Sequence, residues 1–374
     1  MKFALILALL SLPLVVRAAD CNDNQRPVAL AAVYTADALA NLSGGERRRG
    51  AYVDNLDLTA SIDGQKALGL QDTCLFVYAL YNNGARFSDG IVGDAQVVSN
   101  IETDVSAVRL YQAWIDRRFA DQKASVRFGL YDLNSEFDAE NASSVFTNSA
   151  QGIGTDFGQT GLNGPSIFPV TSFAVRGEVA LSKTFLVRAA VMDAVPGDPQ
   201  HPARTTVHLG DGSLAVSEVN YDRSPLRAGL GFWRYSEAFA NLATGAFEHG
   251  NAGWYGFVET TGEAGLGWFA RFGRAAQAFN MFDATLSGGV TYTGLIAGDD
   301  MLGVAFSLAR TGDTFRRATA GASSELDIEL TWQLPLSDHV TVQPDIQYVV
   351  NPGANPALGN ALVAGLRVVI QTGS

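Results

Sequence analysis

The chain is short of charge. Of its 374 residues only 17% are Asp, Glu, Lys or Arg, and the balance is acidic, with a formal net charge of −12. Nucleic-acid binding wants a basic surface, so that class is excluded. A disordered chain would be more charged and less apolar than one with 47% hydrophobic residues. Long apolar runs are also missing. The single candidate, near the N-terminus, is below the ~18 residues that a membrane-spanning helix needs. Histidine is scarce: His201, His208, His249 and His339 fall in loop-like stretches without metal-ligand spacing. Gly-x-Ser-x-Gly, P-loop and dinucleotide fingerprints are all absent. No enzyme, metal or cofactor is expected.

Cysteine is limited to Cys21 and Cys74. Residues 1–18 read as a secretory signal: Lys2 is the basic start, residues 3–16 the apolar stretch, and Val16-Arg17-Ala18 a small-residue cleavage site. Removing Lys2 and Arg17 with it takes the net charge from −12 to −14. Export permits a disulfide, so Cys21 and Cys74 are either bonded or two free thiols. Residues 19–374 are expected to form a single domain.

What the chain has instead is alternation. In residues 324–370, Leu326, Ile328, Leu330 and Trp332 share one face, and Glu325, Asp327, Glu329 and Thr331 the other. Val340, Val342, Ile346 and Tyr348 likewise oppose Thr341, Gln343, Asp345 and Gln347. A period of two throws side chains to opposite faces of a sheet. One greasy face and one wet face, repeated in sixteen segments, predict an all-β transmembrane antiparallel barrel. The connections agree. Those after even-numbered strands are short, and most after odd-numbered strands are long, as tight periplasmic turns and long extracellular loops require. Both chain ends then lie in the periplasm, with the two cysteines at its rim.

The third long loop, residues 132–171, carries Phe137, Phe146, Phe157 and Phe168 and only acidic charges. Four phenylalanines are poorly placed in water, so the loop is predicted to fold into the lumen. Outward Trp332, Tyr348, Phe119 and Trp268 are predicted to form interfacial girdles.

Several runs resemble the carbohydrate-selective porin family of Gram-negative outer membranes. They are Tyr34-Thr35-Ala36-Asp37, Arg109-Leu110-Tyr111-Gln112-Ala113-Trp114, Arg127-Phe128-Gly129 and Asn134-Ser135-Glu136-Phe137, and, most specifically, Gln343 to Gly353 with Ala361 to Val369. The resemblance implies a sixteen-stranded outer-membrane barrel that passes mono- or oligosaccharides by diffusion. Its constriction would be lined by charged and aromatic groups. Leu130 and Gln112 depart from the family, which tends to place arginine and glutamate there. With the acidic charge, these departures keep open a general or cation-preferring porin. An adhesin-like barrel is a third reading.

Strand parity points Arg109, Arg127, Arg176 and Arg188 inward, with Asp57 and Glu178. Arg227, Arg271, Arg367 and Asp63 follow the same parity. With Glu136 and Phe137 of the third loop, the first six are the expected pore-lining and sugar-contact groups. Guanidinium forks and carboxylates can bind adjacent hydroxyls while a ring stacks on the apolar sugar face. Glu325, Asp327, Glu329 and Asp345 form a row expected to line water opposite the arginines. The phase of the fourth strand is ambiguous, because a β-bulge would change which of Arg109 and Gln112 faces inward. Expected partners are carbohydrate solutes and outer-membrane lipid. The outward apolar band fits a monomer or a homotrimer alike.

Overall fold

A computed structural model describes residues 21, 26–207, 209–210, 212–260, 265–296 and 298–372. The expected signal segment, residues 1–18, and His208 lie outside the described residues. Sixteen antiparallel strands close into a barrel. In chain order they are β1 (Val28–Ser43), β2 (Gly50–Asp63), β3 (Thr73–Asn82), β4 (Ala107–Phe119), β5 (Ala124–Tyr131), β6 (Ser172–Ala180), β7 (Phe185–Asp193), β8 (Ser213–Arg223) and β9 (Leu226–Tyr235). A small outer hairpin follows, β10 (Ala238–Ala240) and β11 (Phe247–His249). The wall resumes with β12 (Ala252–Thr260), β13 (Leu266–Ala275), β14 (Phe282–Thr293), β15 (Met301–Thr311), β16 (Ser324–Ser337), β17 (Val340–Val350) and β18 (Ala361–Gln371). Each strand pairs with its neighbour, and β1 closes on β18, so no open sheet edge faces the bilayer.

The period of two decides which side each residue meets. Along β13, outward Trp268 and Phe272 are exposed while Phe269 and Arg271 are buried. Leu58, Val77, Ile115, Val304 and Ile346 belong to the same outward apolar band. Phe119 and Trp268 sit near the tight-turn rim, Tyr348 near the long-loop rim, and all three are exposed. Trp332 Nε1 donates to Asp300 Oδ2 at 2.8 Å. This is the girdle arrangement that amphipathic rings adopt at the two interfaces.

The fourth strand does contain a bulge. The register with β3 slips between Tyr78 and Ala79, leaving Tyr111 without a cross-strand partner. Arg109, Tyr111, Gln112 and Trp114 therefore all face inward. The choice between Arg109 and Gln112 posed by simple alternation does not arise, because one extra residue resets the phase between them.

Cys21 and Cys74 form a disulfide that ties the start of the described chain to β3. A maleimide applied to unfolded, unreduced protein should add no mass, and after reduction two labels. Labelling before reduction would show the bond absent.

Candidate functional site

The long loop between β5 and β6 lies inside the barrel. Phe137, Phe146 and Phe157 are fully buried, and Phe157 stacks between Trp233 at 5.0 Å and Tyr255 at 5.9 Å, both inward-facing wall rings. Ion pairs complete the seating. Arg271 on β13 bonds Asp138 (Nη2 to Oδ2, 2.7 Å) and Asp156, with all three side chains sealed from water. A Cβ at Gly154 would overlap that guanidinium, and one at Gly273 would overlap Asp156, so both glycines are needed for the close approach.

The wall also holds the loop by its backbone. Glu218 on β8 accepts from the Asp138 amide at 2.9 Å, Glu259 on β12 from Ala142 at 2.7 Å, and Glu329 on β16 from Thr147 at 2.6 Å and Asn148 at 3.1 Å. The second outer loop is moored in the same way. Glu325 accepts from Ala95 and Gln96, and from Gly353 of the last outer loop. A loop running through a lumen exposes amides that no strand satisfies, and an inward carboxylate is a strong acceptor for them.

This overturns one expectation. The row Glu325, Asp327, Glu329 and Asp345 faces the lumen but does not line water opposite the arginines; all four are buried beneath the inner loops. Parity says only that a side chain points inward, and here loop backbone fills the space it points into.

The arginines divide into two groups. Arg176 is 2% exposed and committed: it forks onto Glu136 with two 2.8 Å bonds and also reaches Asp116 and Ser125. Arg109 stands apart near the outer end, bound to Pro202 O and Asn82 Oδ1. Asp57, bonded by Tyr78 and Asn55, closes that chain of contacts through Asn82. Phe137 is fully buried in the aromatic core, so it offers no ring face to a solute.

Arg127, Arg188 and Arg227 differ, because each borders a cavity of about 520 Å³ on the tight-turn side of the third loop. Arg127 lies 3.8 Å over the Trp114 ring and pairs with Asp116 and Glu136. Arg188 pairs with Glu178 at 2.9 Å and donates to the Glu136 carbonyl at 2.6 Å. Arg227 pairs with Glu259 at 2.7 Å and donates to Ala139 O. Glu136, Asn220, Asp222 and Phe185 share the same lining. Burial opposes the Glu136 charge, but Arg127, Arg176 and Arg188 outweigh it and hold this carboxyl below its usual range. A second cavity, about 330 Å³, opens on the other side of the loop beside Arg109, Glu102, Ile153 and Phe168.

Residues 47–371 match the family described as carbohydrate-selective porin, OprB family. The chain belongs to that family. This porin is 23% identical over 394 residues to Porin B of Pseudomonas aeruginosa, covering 90% of this chain and 85% of that protein. It is similar in fold to Pseudomonas putida OprB at high pH, with a TM-score of 0.81 at 20% identity, over 92% of this chain and 94% of that one. Against the low-pH structure of the same protein the TM-score is 0.60 at 18% identity, over 92% and 93%. Family and fold point to an outer-membrane channel rather than an enzyme.

Sequence reasoning missed Glu218, Glu259, Asp116 and Ser125. Glu218 and Glu259 carried a readable signal, since both are charged residues at inward positions of alternating strands. Their loop partners lie 80 and 117 residues away and could not be read from spacing.

Proposed function

We propose that this porin passes neutral carbohydrates by diffusion, and that they are engaged in the cavity bounded by Arg127, Arg188, Arg227 and Glu136. The cavity itself carries the reading. It sets guanidinium donors beside carboxylate and amide acceptors within one space of about 520 Å³. A sugar presents hydroxyls that both donate and accept, so mixed polarity suits it better than a ring of one sign. The arginines keep protein partners, so each exchange with a hydroxyl is weak, and weak contacts let a solute leave as readily as it enters. Mature chains would begin after residue 18 and form one barrel domain. Each barrel is a complete pore whether it stands alone or in a homotrimer.

Liposome swelling tests the reading. Glucose should enter faster than an uncharged non-sugar of equal size; equal rates would leave a general or cation-preferring porin, and no entry an adhesin-like barrel. The Arg188→Ala/Arg227→Ala pair should weaken block of single-channel current by sugars. A hydrogen bond is worth about 1 kcal/mol net, so losing two predicts roughly a tenfold to thirtyfold rise in half-blocking concentration. Unchanged block, in a barrel that keeps its heat-modifiable gel mobility, would remove these arginines from the sugar path.

A further inference from the structure

The buried acidic row contains atoms that its mooring role does not use. Glu325 and Glu329 spend their oxygens on loop amides. Asp327, between them on β16, is completely buried, and neither of its oxygens accepts a hydrogen bond from any described residue. Ser307 on β15 stands directly across from it in register, also buried, with its hydroxyl unpartnered among the described residues. Gln96, in the loop after β3, donates its side-chain amide to the Ser307 carbonyl at 3.2 Å. The Gln96 Oε1 atom is itself buried without a described partner. Asp94, two residues earlier, is buried beside the Ser88 hydroxyl and the Val97 and Val98 amides, with neither oxygen in a hydrogen bond of ordinary geometry.

Charge sharpens the oddity. The groups whose charges act most on Asp327 are Asp94, Asp345 and Glu325, all negative. Arg367, a cation of the adjoining wall, is taken by a two-bond fork onto Asp37, with both contacts at 2.7 Å. Water could bond to these oxygens but would not cancel the charge, and an uncompensated buried charge is costly.

We propose that these oxygens hold a hydrated hard divalent cation, Ca²⁺ or Mg²⁺, with Asp327 and Asp94 as charged ligands and Ser307 and Gln96 as neutral ones. All the donors are oxygen, which is what such ions select. Among the described residues no three His, Cys, Asp or Glu side chains converge as a ready cage. A two-carboxylate ion that keeps part of its water is therefore the form that fits. The ion would clasp the Asp94–Gln96 segment to the wall. The third loop rests on this stretch, with Ser149 donating to Val97 O at 2.9 Å and Asn100 to Thr147 O at 2.7 Å, so both inner loops would share the clasp.

The test uses the refolded full chain, free of lipopolysaccharide and stripped with a chelator. Calorimetric titration with CaCl₂, then MgCl₂, should show one site per chain, and the bound ion should raise the unfolding temperature. Asp327→Asn should weaken binding by about tenfold or more and abolish the thermal response. Ser307→Ala should weaken binding less and keep the barrel folded, so it decides the matter should Asp327→Asn fail to fold. Wild-type protein that takes up neither ion at millimolar concentration, with an unfolding temperature indifferent to chelator, would overturn the proposal and leave protonated carboxyls in its place. Wild-type affinity in Asp327→Asn or in Ser307→Ala would overturn it too.

Discussion

Replacing Arg271 with leucine should release the third loop from the wall and raise the single-channel conductance. The guanidinium is sealed from water, and it is the cation that Asp138 and Asp156 share. Removing it strands two carboxylates in a dry seat. Breaking a buried ion pair from one side typically costs about 3–5 kcal/mol, because the remaining charge loses its compensation. The barrel has its own ladder of strand pairs, so the cost should fall on the loop. We expect an open-channel current larger and noisier than wild type, new proteolytic cleavage within residues 132–171, and unchanged heat-modifiable mobility. Adding Asp138→Asn and Asp156→Asn should restore part of the loop packing, since neutral partners need no counter-charge. An unaltered conductance in the single variant would mean that the aromatic stack around Phe157 holds the loop without help.

Glu136→Gln should turn the cavity toward anions. This carboxylate takes two bonds from Arg176 and lies 3.3 Å from Arg127, while Arg188 holds its backbone carbonyl. An amide in its place leaves the arginines with one negative charge fewer, in a cavity that Arg127, Arg188 and Arg227 border. The stability lost should fall toward the lower end of the roughly 3–5 kcal/mol for a buried pair, because the side chain keeps 17% of its surface exposed. The reversal potential under a salt gradient should shift toward that of chloride. The pH dependence has a definite sign. Folding lowers the Glu136 pKa, so its contribution is fully present above the ordinary carboxylate value of 4.5 and fades only as pH falls through the lowered one. The difference between wild type and variant should therefore be the same from about pH 6 to about pH 8. A difference that vanished across that range would contradict the charged pairing.

Arg109 and Arg188 illustrate how far residue pattern reaches. Both read as inward from alternation, and both are inward. One is spent on Pro202 and Asn82 near the outer end, and the other borders the main cavity. The bulge at Tyr111 shows a smaller limit, because the pattern left the phase of that strand open and only the register with β3 fixed where the extra residue falls. Asp327 shows a larger one. Its inward direction is plain in the sequence, but the loop carrying Asp94 and Gln96 comes from more than two hundred residues away.

From the sequence alone follow the strand count, the closed barrel, the sidedness of its loops, the outward apolar band and the third loop's place in the lumen. Each rests on a local pattern: alternation within about ten residues, the lengths of connections, or phenylalanines clustered in one loop. The tertiary structure alone decided which inward charges border a cavity, which moor loop amides, and which remain without a described partner. Those fates depend on loop backbone filling a lumen that no single strand encloses. In residues 324–370 the greasy face was legible as lipid-facing; the wet face was legible only as inward, and the inner loops made it a buried seam.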